Sequence, residues 1–233
     1  WEDMETYGKT KIEFLRRFSA FKNGTSSDDT LRRFFRAIDP KEFQKRFAEW
    51  AESLCEVAGK VIAIDGKTVR HSFDNSDGKA AIHMVSAFVS EARIVLGQQK
   101  TNAKSNEITA IPDLLDWLDV RGAIVTIDAM GCQKSIAKKI TEKGGDYVFG
   151  LKGNQGNLND DVRLYFETEI MDRYAETVDG GHGRIETRKC FVSDDIEWLI
   201  ARNPGWDNLK TIIMIEAARE ISGNKIFEKR FYI

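Results

Sequence analysis

The chain has 233 residues, of which 42% are hydrophobic and 31% charged, and its net charge is −2. That suits a globular protein with one sizeable core and a smaller appendage, without the global basic excess of many nucleic-acid binders, although a local basic stripe would suffice. No apolar run approaches the roughly 18 residues of a membrane span, no secretory leader is visible, and the three cysteines (Cys55, Cys132, Cys190) form no CxxC pair; together these exclude a transmembrane helix, a disulfide framework and a zinc site, and point to a cytoplasmic protein with reduced thiols.

Residues 1–59 read as helical. Lys11–Phe21 carries Ile12, Leu15, Phe18 and Phe21 at three-residue spacing, which predicts one apolar helix face. Ser27 or Asp28 caps a second helix with Leu31, Phe34, Phe35 and Ile38 on its inner side. Asp39-Pro40 breaks the pattern, a third helix carries Phe43, Phe47, Trp50, Ala51 and Leu54, and Gly59 ends it. The arginines here (Arg16, Arg17, Arg32, Arg33, Arg36) fit either a DNA-contacting arm or the solvated side of a helical cap. Acidic residues balance them, which favours the cap.

From Lys60 the pattern turns to strands. Val61–Val69 begins with four apolar residues that predict a strand buried on both faces, and His71–Ala80 is a polar turn. Ala81–Ser90 and Arg93–Gln99 complete an antiparallel meander. A polar stretch at Lys104–Glu107 leads into a helix over Thr109–Leu118 with Pro112 in its first turn. Ala123–Ile127 is a strand, Cys132–Lys143 a helix stopped by Gly144-Gly145, and Asp146–Leu151 a strand that runs into Lys152-Gly153-Asn154-Gln155 and a helix over Leu158–Glu167. Three strands, helix, strand, helix, strand is the order of a ribonuclease H-like fold, in which the first strand lies beside the fourth. Beyond it, Asp179–Gly183 reads as a flexible turn, Arg184–Val192, Leu209–Ala218 and Lys225–Ile233 as strands, and Gly223-Asn224 as a hairpin turn. The expected class is therefore α/β: a ribonuclease H-like mixed sheet with flanking helices over 60–169, an N-terminal helical region over 1–59 and a β-rich insertion over 170–233.

Two strands end on an aspartate, Asp65 and Asp128. Burying an unpaired carboxylate is costly, so a cation meeting both would account for the pair, and hard Mg²⁺ or Mn²⁺ prefers such oxygen ligands. Two ions there could activate an attacking oxygen and stabilise a leaving one in phosphodiester displacement. The bland alternative is a plain turn at Asp65-Gly66 and a helix cap at Asp128. Asp160, Asp161, Glu167 and Glu186 are the candidates for a third acid; an ordinary amphipathic helix accounts for the first three and a salt-bridged exposed strand face for Glu186. Lys67 and Arg70 could neutralise phosphate or be surface charges. Lys152 lies beyond a strand's C-terminal end, where ligands gather in α/β sheets, or in a simple polar turn. His182-Gly183-Arg184 with Arg188 could grip DNA phosphates or be a loop tip. His71 and His83 have no partner at metal spacing and receive no role.

The runs IAIDGKTVRHS, AIHMVSAF, GQQKTNAKSNEITAIPDLL, TIDAMGCQKSIAKKI, GGDYVFGLKGNQGNL and GHGRIETR closely resemble the transposases of ISAs-type bacterial insertion sequences, including the H-repeat-associated proteins. The likeness is strong over about residues 60–190, and residues 1–59 resemble the family's N-terminal associated region. The resemblance implies a ribonuclease H-like core with two aspartates and one glutamate, of which Asp65 and Asp128 are the first two catalytic acids and metal ligands. It implies Mg²⁺ or Mn²⁺ as cofactor, double-stranded DNA (element ends and target) as partner, no membrane, and a homo-oligomer around paired ends. On that basis Lys67, Lys152, Arg184 and Arg188 are phosphate contacts. The family's third acid lies in a His-Trp-x-x-Glu-Asn type motif downstream of a β insertion, and no such motif occurs here. The chain, starting at Trp1 and ending in FEKRFYI, is therefore expected to be a fragment, inactive alone. The rival expectations are a ribonuclease H-like nuclease without strand transfer and a non-catalytic DNA-binding remnant.

Overall fold

A computed structural model describes residues 1–233 except 70–71, 73–80, 102–106, 172–173, 182–183 and 222–223. The expected turn over His71–Ala80 lies almost wholly outside the described residues, as do Arg70, Lys104–Asn106 and the turn residues His182, Gly183 and Gly223. The chain divides into two compact units, Trp1–Arg46 and Phe47–Ile233.

The first unit holds α1 (Glu2–Thr10), α2 (Ile12–Leu15), α3 (Asp28–Ala37) and the start of α4 (Pro40–Leu54). Ser27 caps α3, its hydroxyl accepting from Thr30 N–H, and Asp39 does the same for Lys41 and Glu42 at the start of α4. The helix expected over Lys11–Phe21 is only the four residues of α2; Phe21 takes a left-handed φ of 43°, which an α-helix cannot contain. The apolar faces of these helices are not closed over: Phe18, Phe34 and Phe43 are more than half exposed. Aromatic contacts such as Trp1 on Phe35, with centroids 5.0 Å apart, stand in for a core.

The second unit is built on one nine-stranded sheet. Its strands are β1 (Val61–Thr68), β2 (His83–Val89), β3 (Ile94–Thr101), β4 (Ile124–Ile127), β5 (Asp146–Leu151), β6 (Ala175–Gly181), β7 (Arg184–Ser193), β8 (Ile212–Ile221) and β9 (Asn224–Tyr232), in the order β3-β2-β1-β4-β5-β9-β8-β7-β6. β1, β2 and β3 form the expected antiparallel meander, while β1, β4 and β5 run parallel. The crossovers between the parallel strands carry α5 (Glu107–Trp117) and α6 (Lys134–Glu142), and α7 (Gly156–Thr168) follows β5.

β1 is buried on one face only. Ile62 and Ile64 are buried, Val61 and Ala63 half-buried and Asp65 exposed. Period-two alternation continues across the sheet: Val125 and Ile127 of β4 and Val85, Ala87 and Val89 of β2 join the buried face, which meets Ala110, Ile111, Leu114 and Leu115 of α5 in one cluster. The continuous apolar run Val-Ile-Ala-Ile hides this asymmetry because Ala63 is small enough for either face.

The β-rich stretch is not a separate sheet. β9 pairs with β5 at Gly150↔Tyr232 and Leu151↔Phe231, and Phe149 exchanges backbone hydrogen bonds with Ile233 (2.8 and 3.1 Å). Asp179–Gly181, expected as a turn, close the strand β6, paired with Arg184–Glu186. α8 (Glu197–Arg202), too short to show a periodic pattern, lies between β7 and β8.

Candidate active site

Ile64 pairs with Ile127 in the parallel register of β1 and β4, so the next residue on each strand is an aspartate. Asp65, inside β1, and Asp128, directly after the last residue of β4, therefore follow that pair on the half-open face of neighbouring strands about 4.8 Å apart. Both side chains are exposed, so neither bears the burial cost that a doubly covered strand would impose.

The bland alternatives fail for both aspartates. Asp65 and Gly66 are no turn; they continue β1 opposite Ser86 and Val85 of β2. Asp128 caps no helix, since the residue before α6 is Gln133. Its Oδ1 accepts from the backbone N–H groups of Met130 (3.0 Å) and Gly131 (3.4 Å), an Asx-type turn that fixes the carboxylate.

Around the pair lie residues that the sequence did not mark. Ser86 is paired with Asp65, and Gln98 of β3 donates to the Ser86 hydroxyl at 3.1 Å, so a polar row Gln98–Ser86–Asp65–Asp128 crosses the open face. Beyond β5, the 3₁₀ turn Gly153–Gln155 is stitched to the loop after Asp128: Asn154 Nδ2 donates to Ala129 O (2.7 Å) and Gln155 Nε2 to Cys132 O (2.5 Å). Gly150 lies against that loop, where a Cβ would come 3.2 Å from Ala129 N. The usable signal was the polar turn after β5, although its partners could not be read.

Among the expected cations, Lys67 lies beside Asp65 at 3.5 Å, and Lys152 is exposed just past the end of β5. Arg184 and Arg188 are elsewhere: four strands separate β7 from β1, more than about 20 Å along a sheet. They surround Glu186 at 3.7 and 2.9 Å, Arg219 joins them at 3.4 Å, and Arg188 also reaches Asp179 at 2.8 Å. Glu186 is ion-paired as its alternation with arginines indicated, but it is buried under the guanidinium groups rather than exposed. Desolvation alone would raise its pKa; Arg188, Arg219 and Arg184 outweigh that and hold the carboxyl below the usual range. Asp161, another of the four acids weighed, is likewise buried and engaged by Arg202 (3.0 Å) and Asn203 (2.9 Å). Among the described residues no third histidine, cysteine or carboxylate completes a metal-holding group, and no helix is long and apolar enough to cross a membrane.

Hard oxygen donors on neighbouring strands, one of them oriented by backbone N–H groups, fit a divalent cation whose remaining ligands are phosphate and water.

Comparison with known proteins identifies the family. Residues 58–197 match the family model described as Transposase DDE domain, and residues 1–51 one described as DDE_Tnp_1-associated. The chain is 47% identical over its whole length to an "Uncharacterized protein in dhlA 3'region" of Xanthobacter autotrophicus, covering 80% of that protein. It is 43% identical over its whole length to the "H repeat-associated putative transposase YhhI" of Escherichia coli K12, covering 64% of it. To YbfD, a protein of the same strain with the same description, it is 47% identical over 86% of the chain and 81% of that relative. The chain thus spans less than two thirds of YhhI and of two similar E. coli relatives. On these matches the chain belongs to the DDE transposase family, with H repeat-associated proteins among its relatives.

Proposed function

We propose that the chain carries the catalytic region of a cytoplasmic DNA transposase with a ribonuclease H-like core over 60–169, a helical associated region over 1–59 and a β-rich insertion over 170–233. The reaction is hydrolysis of a DNA strand at an element end, followed by attack of the freed 3′-hydroxyl on a target phosphodiester. The observation that carries this reading is the parallel pairing of Ile64 with Ile127, which makes Asp65 and Asp128 the next residues on neighbouring strands. The strand order β3-β2-β1-β4-β5, with its antiparallel meander and parallel second half, supports the fold assignment.

Asp65 and Asp128 would hold Mg²⁺ or Mn²⁺, which when bound neutralises phosphate charge and makes the attacking oxygen more acidic. The chain's own contribution is positioning. The Met130 and Gly131 amides aim Asp128, and Asn154 and Gln155 hold the loop behind it. Lys67 and Lys152 meet phosphate beside the reacting bond, and Arg184 and Arg188 meet it further along the duplex. The resemblance adds a glutamate downstream of the β-rich stretch as the third acid, and a homo-oligomer around paired ends.

The test is calorimetric titration of Mn²⁺ into the protein, Asp65→Asn and Asp128→Asn, with nicking of double-stranded DNA followed in parallel. Binding present in the unaltered protein and lost in both variants supports one shared site. Identical heats from all three would overturn it.

A further inference from the structure

Beneath the part of β1 that follows Asp65 lies a buried polar pair that the active-site face does not use. His83, the first residue of β2, and Glu107, the first residue of α5, are 3% and 5% exposed, and His83 Nε2 and Glu107 Oε1 share a hydrogen bond of 2.5 Å. His83 Nδ1 shares another, of 3.1 Å, with the Thr68 hydroxyl on β1. The pair thus ties three elements together at one point: β1 through Thr68, β2 through His83 and α5 through Glu107.

That point is the back of residue 66. A Cβ built on Gly66 would collide with the Glu107 carboxylate and lie 2.8 Å from His83 Nε2. The imidazole and carboxylate therefore pack directly on the backbone next to Asp65. Strand alternation puts Gly66 and Thr68 on the face opposite Asp65 and Lys67, so Glu107 is no ligand at the Asp65–Asp128 site. It can act on that site only through the strand. Polar pairs this deep are poor sources of stability compared with apolar residues of the same volume, so their use here calls for a role other than packing.

We infer that His83 and Glu107 are positioning residues that clamp the end of β1 from behind and thereby fix the direction of the Asp65 carboxylate. The inference rests on the reading of Asp65 and Asp128 as a divalent-cation site. It also explains Gly66: any side chain there would displace the clamp or the strand. Partners that hydrogen-bond a metal ligand typically change affinity by about 10–100-fold when lost, and a clamp acting through the strand belongs at the low end of that range.

The experiment uses Glu107→Gln, which keeps size and hydrogen-bonding ability, with Glu107→Asp as the conservative variant and Asp161→Asn as a buried carboxylate remote from the site. Two quantities are read without DNA or turnover: hydrogen exchange of the Asp65–Thr68 amides in metal-free protein, and Mn²⁺ affinity by calorimetry. The expected result for Glu107→Gln is exchange at Asp65–Thr68 about tenfold faster or more, with Ile62–Ile64 unchanged, and Mn²⁺ binding about tenfold weaker or more. Asp161→Asn should leave both as in the unaltered protein, and Glu107→Asp should recover part of the loss. A folded Glu107→Gln with unchanged exchange, or with faster exchange but unchanged Mn²⁺ affinity, overturns the positioning role. Absence of Mn²⁺ binding in the unaltered protein overturns the cation-site reading itself and is distinguished by that control. Should Glu107→Gln fail to fold, His83→Gln is judged by the same two measurements.

Discussion

The two ends of the sheet treat their carboxylates in opposite ways. On the parallel half, Asp65 and Asp128 stand together on an open face with one lysine beside them. On the antiparallel half, Glu186 is covered by three guanidinium groups. A carboxylate that the chain neutralises completely serves the fold, because its attraction is spent internally. Two that are aligned, oriented and left largely unanswered are a place where a cation lowers the free energy. On the proposed function, the contrast separates a structural acid from a cation-binding one by surroundings rather than by residue type.

The strongest way to break the comparison is to ask whether the two halves are one cooperative body. Phe149 is fully buried on β5 and bonds through its backbone to Ile233 at the seam. Phe149→Ala should cost about 3–5 kcal/mol, and urea unfolding should stay a single transition reported alike by tryptophan fluorescence and far-ultraviolet circular dichroism. Two separated transitions would mean that the halves fold independently.

The next test compares the acids directly. Asp65→Asn removes an exposed charge and should change stability by no more than about 0.5 kcal/mol, even as it removes the cation site. Glu186→Gln leaves Arg184, Arg188 and Arg219 crowded together without their shared anion, and should lower the melting midpoint clearly. Equal midpoints for the two variants would dissolve the distinction.

Much of this was legible in the residues. The succession of strands and helices along β1–α7 followed from the alternation of apolar runs with helical segments, and Asp146–Leu151 matches residue for residue. Asp65 and Asp128 stood out because each follows directly on an apolar run. What was not legible depended on partners distant in the chain. Glu186 looked like an exposed acid because strand alternation reports which face a side chain takes, not what covers it; Arg219, 33 residues on, completes its shell. His83 looked idle because its partner, Glu107, is 24 residues away on another element. The N-terminal apolar spacing overstated the helix at Lys11–Phe21, since spacing does not register the left-handed φ of Phe21.

Acid should act on the antiparallel half through Glu186. Its carboxyl is held below the ordinary value of about 4.3, so the unfolded chain takes up the proton first as pH falls. The stabilisation it provides is fully present above about pH 4.3 and is lost as pH drops through the lower folded value. Melting midpoints between pH 3 and 7 should show this loss in the unaltered protein, and a shallower acid dependence in Glu186→Gln. Parallel curves would remove Glu186 as the group responsible.

The smallest expected effect compares how the two halves open. Cys132 lies in the loop behind Asp128, fully buried, with its thiol pushed up to about 12 by desolvation, whereas Cys190 on β7 is only partly covered. At pH 8 Cys132 is thus both protonated and shielded, so an alkylating reagent should modify Cys190 first and reach Cys132 only when the loop opens. Gln155 holds that loop through the Cys132 carbonyl. One such hydrogen bond contributes about 1 kcal/mol, so Gln155→Ala should speed Cys132 alkylation about fivefold and leave Cys190 unchanged. An unchanged Cys132 rate would mean that the loop carrying Asp128 is held by its Asx-type turn and by Asn154, and that Gln155 contributes nothing to it.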